Sequence, residues 1–127
     1  MTFSTRNEGF LVSFPNGYTV SIGTGSMHYC ENHTLGGPMV DKSWESKDCE
    51  IAVIHNEDSD DRKYVLTNQV EGYVTPLQFA RLIEYVSSLP APYPVDSQRF
   101  ISEDTIAGMD EILHFTEFFP VHPAPFE

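Results

Sequence analysis

Gly9-Phe10-Leu11-Val12-Ser13-Phe14, then Pro15-Asn16-Gly17, then Tyr18-Thr19-Val20-Ser21-Ile22-Gly23 is the stretch that decides the fold class. In its second half Tyr18, Val20 and Ile22 alternate with Thr19, Ser21 and Gly23, the period of a half-buried strand. Proline presets its own φ and Asn-Gly tolerates positive φ, so the three residues between the two runs predict a hairpin turn. An antiparallel hairpin at the start of the chain argues for an antiparallel sheet, not a wound parallel one.

Outward from the hairpin the strand signals continue. Ile51-Ala52-Val53-Ile54-His55 is a short apolar run bounded by polar residues and predicts a central strand. Lys63-Tyr64-Val65-Leu66-Thr67 predicts its hairpin partner across an acidic connection, and Val70 to Val74 a short edge strand. Residues 24 to 48, with Gly25, Gly36, Gly37 and Pro38, carry no sustained period, and a loop of this length in a compact domain is often functional. A short strand near Trp44 is the plainer alternative.

Two helices come next. Thr75 suits an N-cap, Pro76 the first helical position, and Gln78 completes a capping box, with Val74 and Phe79 at the positions of a hydrophobic staple. At about 100° per residue Phe79, Leu82, Ile83, Val86 and Leu89 share one face. Pro90, Pro92 and Pro94 end this helix and stiffen the connection beyond it. A second helix is predicted from about Glu103 to Phe118, capped by Ser102. Ile106, Met109, Ile112, Leu113 and Phe119 lie on its inner side, and Glu103, Asp104, Asp110, Glu111 and Glu117 on its outer side. Gly108 works against it by about 1 kcal/mol relative to alanine.

The expected fold is therefore α+β: one domain spanning residues 1–127, with a small antiparallel sheet of four to five strands packed against one or two helices. Its core lies in residues 9–89, with the acidic helix and a Pro-rich tail in 102–127. The expected core comprises Phe10, Val12, Tyr18, Val20, Ile22, Ile51, Val53, Val65, Phe79, Leu82, Ile83 and Val86. The first helix covers one face, and the second the other face or an edge.

Charge narrows the function classes. The chain of 127 residues has 19 acids against seven Lys and Arg, a formal net charge of −12. Such a surface repels nucleic-acid phosphates and anionic lipid and favours a basic protein partner. The excess sits in two places: the segment from Glu31 to Thr75, and the chain after Ser102, which has six acids and no Lys or Arg. No apolar run reaches the length of a membrane span, and the N-terminal residues do not read as a secretory signal. Cys30 and Cys49 are accordingly expected as reduced thiols of a cytosolic protein.

Six constellations could carry chemistry. Cys30, His33, Cys49 and His55 offer soft ligands for zinc, but at no standard spacing, and two buried thiols with loop histidines are the plainer account. Cys30 near His28 and His33 could be a nucleophile, although local negative charge opposes a thiolate. Nineteen acids guarantee carboxylate pairs by chance, with no cleft motif beside any of them. Gly23-Thr24-Gly25-Ser26 lacks the rest of a phosphate loop. Asp58, Asp60 and Asp61 lack the Gly and Glu that a calcium loop needs, and read as a solvated hairpin tip. The acidic helix remains: carboxylates along a rigid rod can imitate the phosphates of a nucleic-acid strand.

Phe14-Pro15-Asn16-Gly17-Tyr18-Thr19-Val20-Ser21-Ile22, Glu50-Ile51-Ala52-Val53-Ile54 and Glu71-Gly72-Tyr73-Val74-Thr75-Pro76 together resemble small bacteriophage proteins. Those proteins carry an Asn-Gly-Tyr hairpin, a Glu-aliphatic strand and a Gly-Tyr-x-Thr-Pro opening of a helix. The resemblance spans roughly residues 10 to 89, and the loop from Thr24 to Asp48 and the chain after Pro90 depart from it. It implies a viral accessory protein in the cytoplasm of a bacterial host and assigns no residue a role.

The resulting expectation is a non-enzymatic protein, without a cofactor, that binds and modulates a host protein with a basic surface. It would bind neither nucleic acid directly nor membrane. Glu103, Asp104, Asp110, Glu111 and Glu117 would carry the contact, with Asp58, Asp60 and Asp61 as a second patch. The alternatives are a zinc- or thiol-dependent protein using Cys30, His33, Cys49 and His55, and a structural or oligomeric phage component.

Overall fold

The computed structural model describes residues 1–6, 8–35, 43–56, 62–66, 68–95 and 98–114. Among these residues six strands form the main sheet: β1 (Thr2–Arg6), β2 (Gly9–Ser13), β3 (Tyr18–Gly23), β4 (Cys49–Asn56), β5 (Arg62–Tyr64) and β6 (Glu71–Val74). Helix α1 (Pro76–Ser88), a small hairpin of β7 (Tyr93–Val95) and β8 (Gln98–Phe100), and helix α2 (Glu103–His114) complete it. The sheet is antiparallel in the order β1-β2-β3-β4-β5, with β6 also paired to β4. Since β3 takes one edge of β4, β5 and β6 share the other. β5 pairs with its Ile54–Asn56 end and β6 with its Cys49–Ile51 end. The sheet is thus five strands wide, and the α+β expectation holds.

The predicted turn is present: Gly17 donates to Phe14 O at 3.1 Å and Phe14 to Tyr18 O at 2.8 Å. Gly17 has φ +94°, which a side chain would strain. Register then stacks Val12, Val20 and Val53 in one row, and Phe10, Ile22 and Ile51 in the next. Paired residues share a face, so this face carries the core. Val20 and Val53 are fully buried there, with Leu82, Val86 and Met109 from the helices.

The capping box of α1 forms as predicted, with Gln78 N donating to Thr75 Oγ1 at 3.2 Å and Thr75 N to Gln78 Oε1 at 2.7 Å. Gln78 is also buried and donates through Nε2 to Leu113 O at 2.7 Å, so one residue closes the start of α1 and holds the end of α2.

Phe10 and the seat of α2 correct the expected arrangement, and β1 and a second hairpin add to it. Phe10 is 36% exposed, outside the core. It lies toward the β1 edge, where its ring meets exposed Phe3 with centroids 6.4 Å apart. β1 adds a strand for which the sequence carries no signal, because every position in it is exposed and it has no apolar alternation. α2 does not cover the opposite face: Met109 and Leu113 join the same core as α1, and Asp110 and His114 reach Glu71 on β6 at the side of the sheet. The Pro-rich connection after α1 folds back as the β7-β8 hairpin. Residues 115–118 of the expected second helix, and the Pro-rich tail beyond them, lie outside the described residues. No strand forms near Trp44 among the described ones.

Candidate functional site

Helix α2 owes its seat to a glycine. A Cβ on Gly108 would fall on the Tyr85 hydroxyl and 2.6 Å from Tyr85 Cζ, so the residue that weakens the helix in isolation lets it lie against α1. Tyr85 Oη donates to Thr105 O at 3.2 Å. The Ser102 cap forms: Thr105 N donates to Ser102 Oγ at 3.2 Å. Burial pushes the Tyr85 hydroxyl above its usual pKa, and the negative fields of Asp104 and Glu111 add to the shift. These two carboxylates therefore flank the seam between the helices.

Glu103, Asp104 and Glu111 are exposed on α2, as predicted. None of them joins an ion pair among the described residues, where the pairs formed are His28–Glu50 and His114–Glu71. Asp110 departs from the outward array. It is half-buried and belongs to a corner with Glu71 and His114. The reason is helical geometry: Met109 and Leu113 are buried, and the adjoining Asp110–His114 row one residue on is carried against β6. Glu117, Asp58, Asp60 and Asp61 lie outside the described residues.

The four soft ligands do not form a metal site. Cys30 Sγ donates to Gly25 O, His33 Nδ1 lies 3.0 Å from His28 O, and His55 packs edge-on to Tyr18 at 5.3 Å. Cys49 is buried in the core, and burial first, then the charges of its neighbours, pushes its thiol up to about 12. A buried thiol held protonated at neutral pH is a poor nucleophile. Both cysteines are free. The group of described His, Cys, Asp and Glu side chains that does gather is Glu71, Asp110 and His114, with ligand atoms within 4.8 Å of one another. Sequence reasoning missed it, although the Asp110–His114 spacing of four residues was there to be read.

Residues 24–35, after β3, form a loop containing a 3-10 turn, Glu31–Leu35. Gly9, Gly23 and Glu50 are in register. The bare Gly23 leaves room for the His28 ring, which sits 3.0 Å from Glu50 Oε1, and Tyr29 N donates to Glu50 Oε2 at 3.1 Å. Asn32 Nδ2 donates to Thr24 O and Glu45 O at 2.8 and 3.1 Å. Trp44 Nε1 donates to Thr24 Oγ1 at 3.0 Å. Fastened in this way, the loop holds Met27 and Tyr29 out to solvent at 67% and 52% exposure. Tyr73, also exposed, is tied to the loop through its backbone, its N–H donating to Tyr29 O at 3.0 Å. Rigid, exposed tyrosines are common anchors of protein interfaces.

No protein-family model, curated protein or solved structure matches this chain. No helix among the described residues is long and apolar enough to cross a membrane.

Proposed function

We propose that this is a non-enzymatic binding protein whose acidic surface docks on a basic protein partner and modulates it. The observation that carries the reading is the display of Glu103, Asp104 and Glu111 on a helix fixed at both ends. Ser102 caps its start, Gln78 holds Leu113 near its end, and Gly108 seats its middle. A helix already held in place needs no ordering of its backbone on meeting a basic surface, and an array of one sign steers association. Imitation of nucleic acid is the specific form such docking would take on a partner that normally holds phosphates. The phage setting rests on the resemblance alone.

The test is capture of bacterial proteins by the full chain at low and high salt, set against the variant Glu103→Gln, Asp104→Asn, Glu111→Gln. The wild type should retain a basic protein at low salt and release it at high salt, and the variant should lose it. Equal capture by both chains would sink the reading.

A second reading, self-association, is favoured by the open edge of the sheet. Among the described residues β1 has one neighbour, β2, and Phe3 on it is 75% exposed. Unpaired strand edges invite further pairing. The molecular mass in solution, with Phe3→Asp as the disrupting variant, decides it.

A further inference from the structure

We propose that Glu71, Asp110 and His114 form a binding site for a divalent first-row transition cation, with zinc as the representative ion.

The site is assembled from two elements. Asp110 and His114 stand one helical turn apart on α2, so their side chains project side by side. Glu71 comes from the first position of β6, which packing brings to the end of the helix. The ligand atoms all lie within 4.8 Å of one another, and His114 Nε2 is 3.4 Å from Glu71 Oε1. Ligands about 2.0–2.1 Å from a tetrahedral zinc are roughly 3.4 Å apart along an edge. One edge of the polyhedron therefore already has its length, and small side-chain rotations would close the others.

Electrostatics supplies an independent reason. Glu71 and Asp110 are two partly buried carboxylates set close together in a chain of net charge −12. Like charges at such distances repel, and no Lys or Arg side chain pairs with either among the described residues. A dication would neutralise both. The imidazole nitrogen selects against magnesium and calcium, which prefer oxygen alone. Three protein ligands leave room for water to complete the shell. His114 is 52% exposed and Glu71 16%, so an ion has a path in, and one ligand is anchored.

Bound metal would tie β6 to α2, which gives the test a readout besides affinity. Zinc chloride titrated into the full chain by calorimetry should bind one ion per chain saturably, and should raise the thermal midpoint. His114→Ala alters an exposed side chain and should leave the apo fold intact. It should weaken zinc at least about tenfold and abolish the thermal shift. Asp110→Asn should act in the same direction, while Glu111→Gln, one residue along, should change affinity less than about twofold. Excess magnesium should not compete. Absence of saturable zinc binding overturns the proposal, and so does unchanged affinity in His114→Ala, which would place the ion elsewhere in the chain. The proposal does not depend on the partner-binding reading.

Discussion

The side-chain amide of Asn16, at the tip of the β2-β3 turn, donates to the carbonyl of Val86 at 2.8 Å and to that of Leu89 at 2.9 Å. Its own Oδ1 accepts from Tyr18 N at 3.2 Å. The last carbonyls of a helix have no partner within it, and α1 ends at an extended residue, Leu89, without a glycine cap. Leu89 N reaches Val86 O at 3.3 Å, and the turn of a distant hairpin adds the rest of the cap. Asn16 thereby joins the helix end to the sheet.

Asn16→Ala should consequently destabilise the domain by about 1.5–4.5 kcal/mol, three hydrogen bonds at their usual net worth. Asn16→Asp should cost more, because it removes the donor and sets a negative charge at the negative end of the helix dipole. Urea midpoints of the three chains give the comparison. Equal midpoints for wild type and Asn16→Ala would show that the cap contributes nothing.

Gly108→Ala tests the seam between the helices. Helix propensity alone predicts a gain of about 1 kcal/mol. Overlap with the Tyr85 ring predicts a loss of about 1–3 kcal/mol, as overpacking usually does. The loss should win, and the double variant with Tyr85→Ala should cost less than the sum of the two single changes. A stabilised Gly108→Ala would mean that the helices do not meet there.

Glu50 should govern the loop more than the fold. Glu50→Ala removes the partner of both His28 Nδ1 and Tyr29 N. Hydrogen exchange at residues 24–35 should accelerate and proteolytic nicking should begin there, while the β3-β4 core stays protected. If exchange accelerates evenly through the sheet, the loop is not an independently fastened unit.

Alkaline pH should unfold the domain through its buried acids. Cys49 rises from 9.0 to about 12 in the folded protein, chiefly by burial. Tyr18 is raised as well, by burial and then by Tyr85. The folded state therefore holds protons that the unfolded state has released. The stability this represents is complete below pH 9 and is lost as pH climbs toward 12. Cys49→Ser should shift the alkaline limb. At neutral pH a thiol reagent should leave native Cys49 unmodified and label it once urea is added.

Local signals carried the hairpin, the central strand and both helix starts. Turn chemistry at Asn16-Gly17, the capping box at Thr75 and Gln78, and the Ser102 cap each act within a few residues, and each was legible without coordinates. The outward display of Glu103, Asp104 and Glu111 was equally legible, because helical periodicity alone separates them from Met109 and Leu113. β1 was not legible, because an exposed edge strand has no apolar alternation.

What the sequence by itself determined is the class of each element and which of its sides is apolar, since propensity, capping and periodicity are set by neighbours along the chain. Only the tertiary structure decided that Gly108 is a seat for Tyr85, that Asn16 caps a helix 70 residues away, and that Glu71 meets Asp110 and His114. Those pairings arise from how the helices settle on the sheet, through the volumes and hydrogen-bonding groups that packing brings together, and no short-range pattern encodes them.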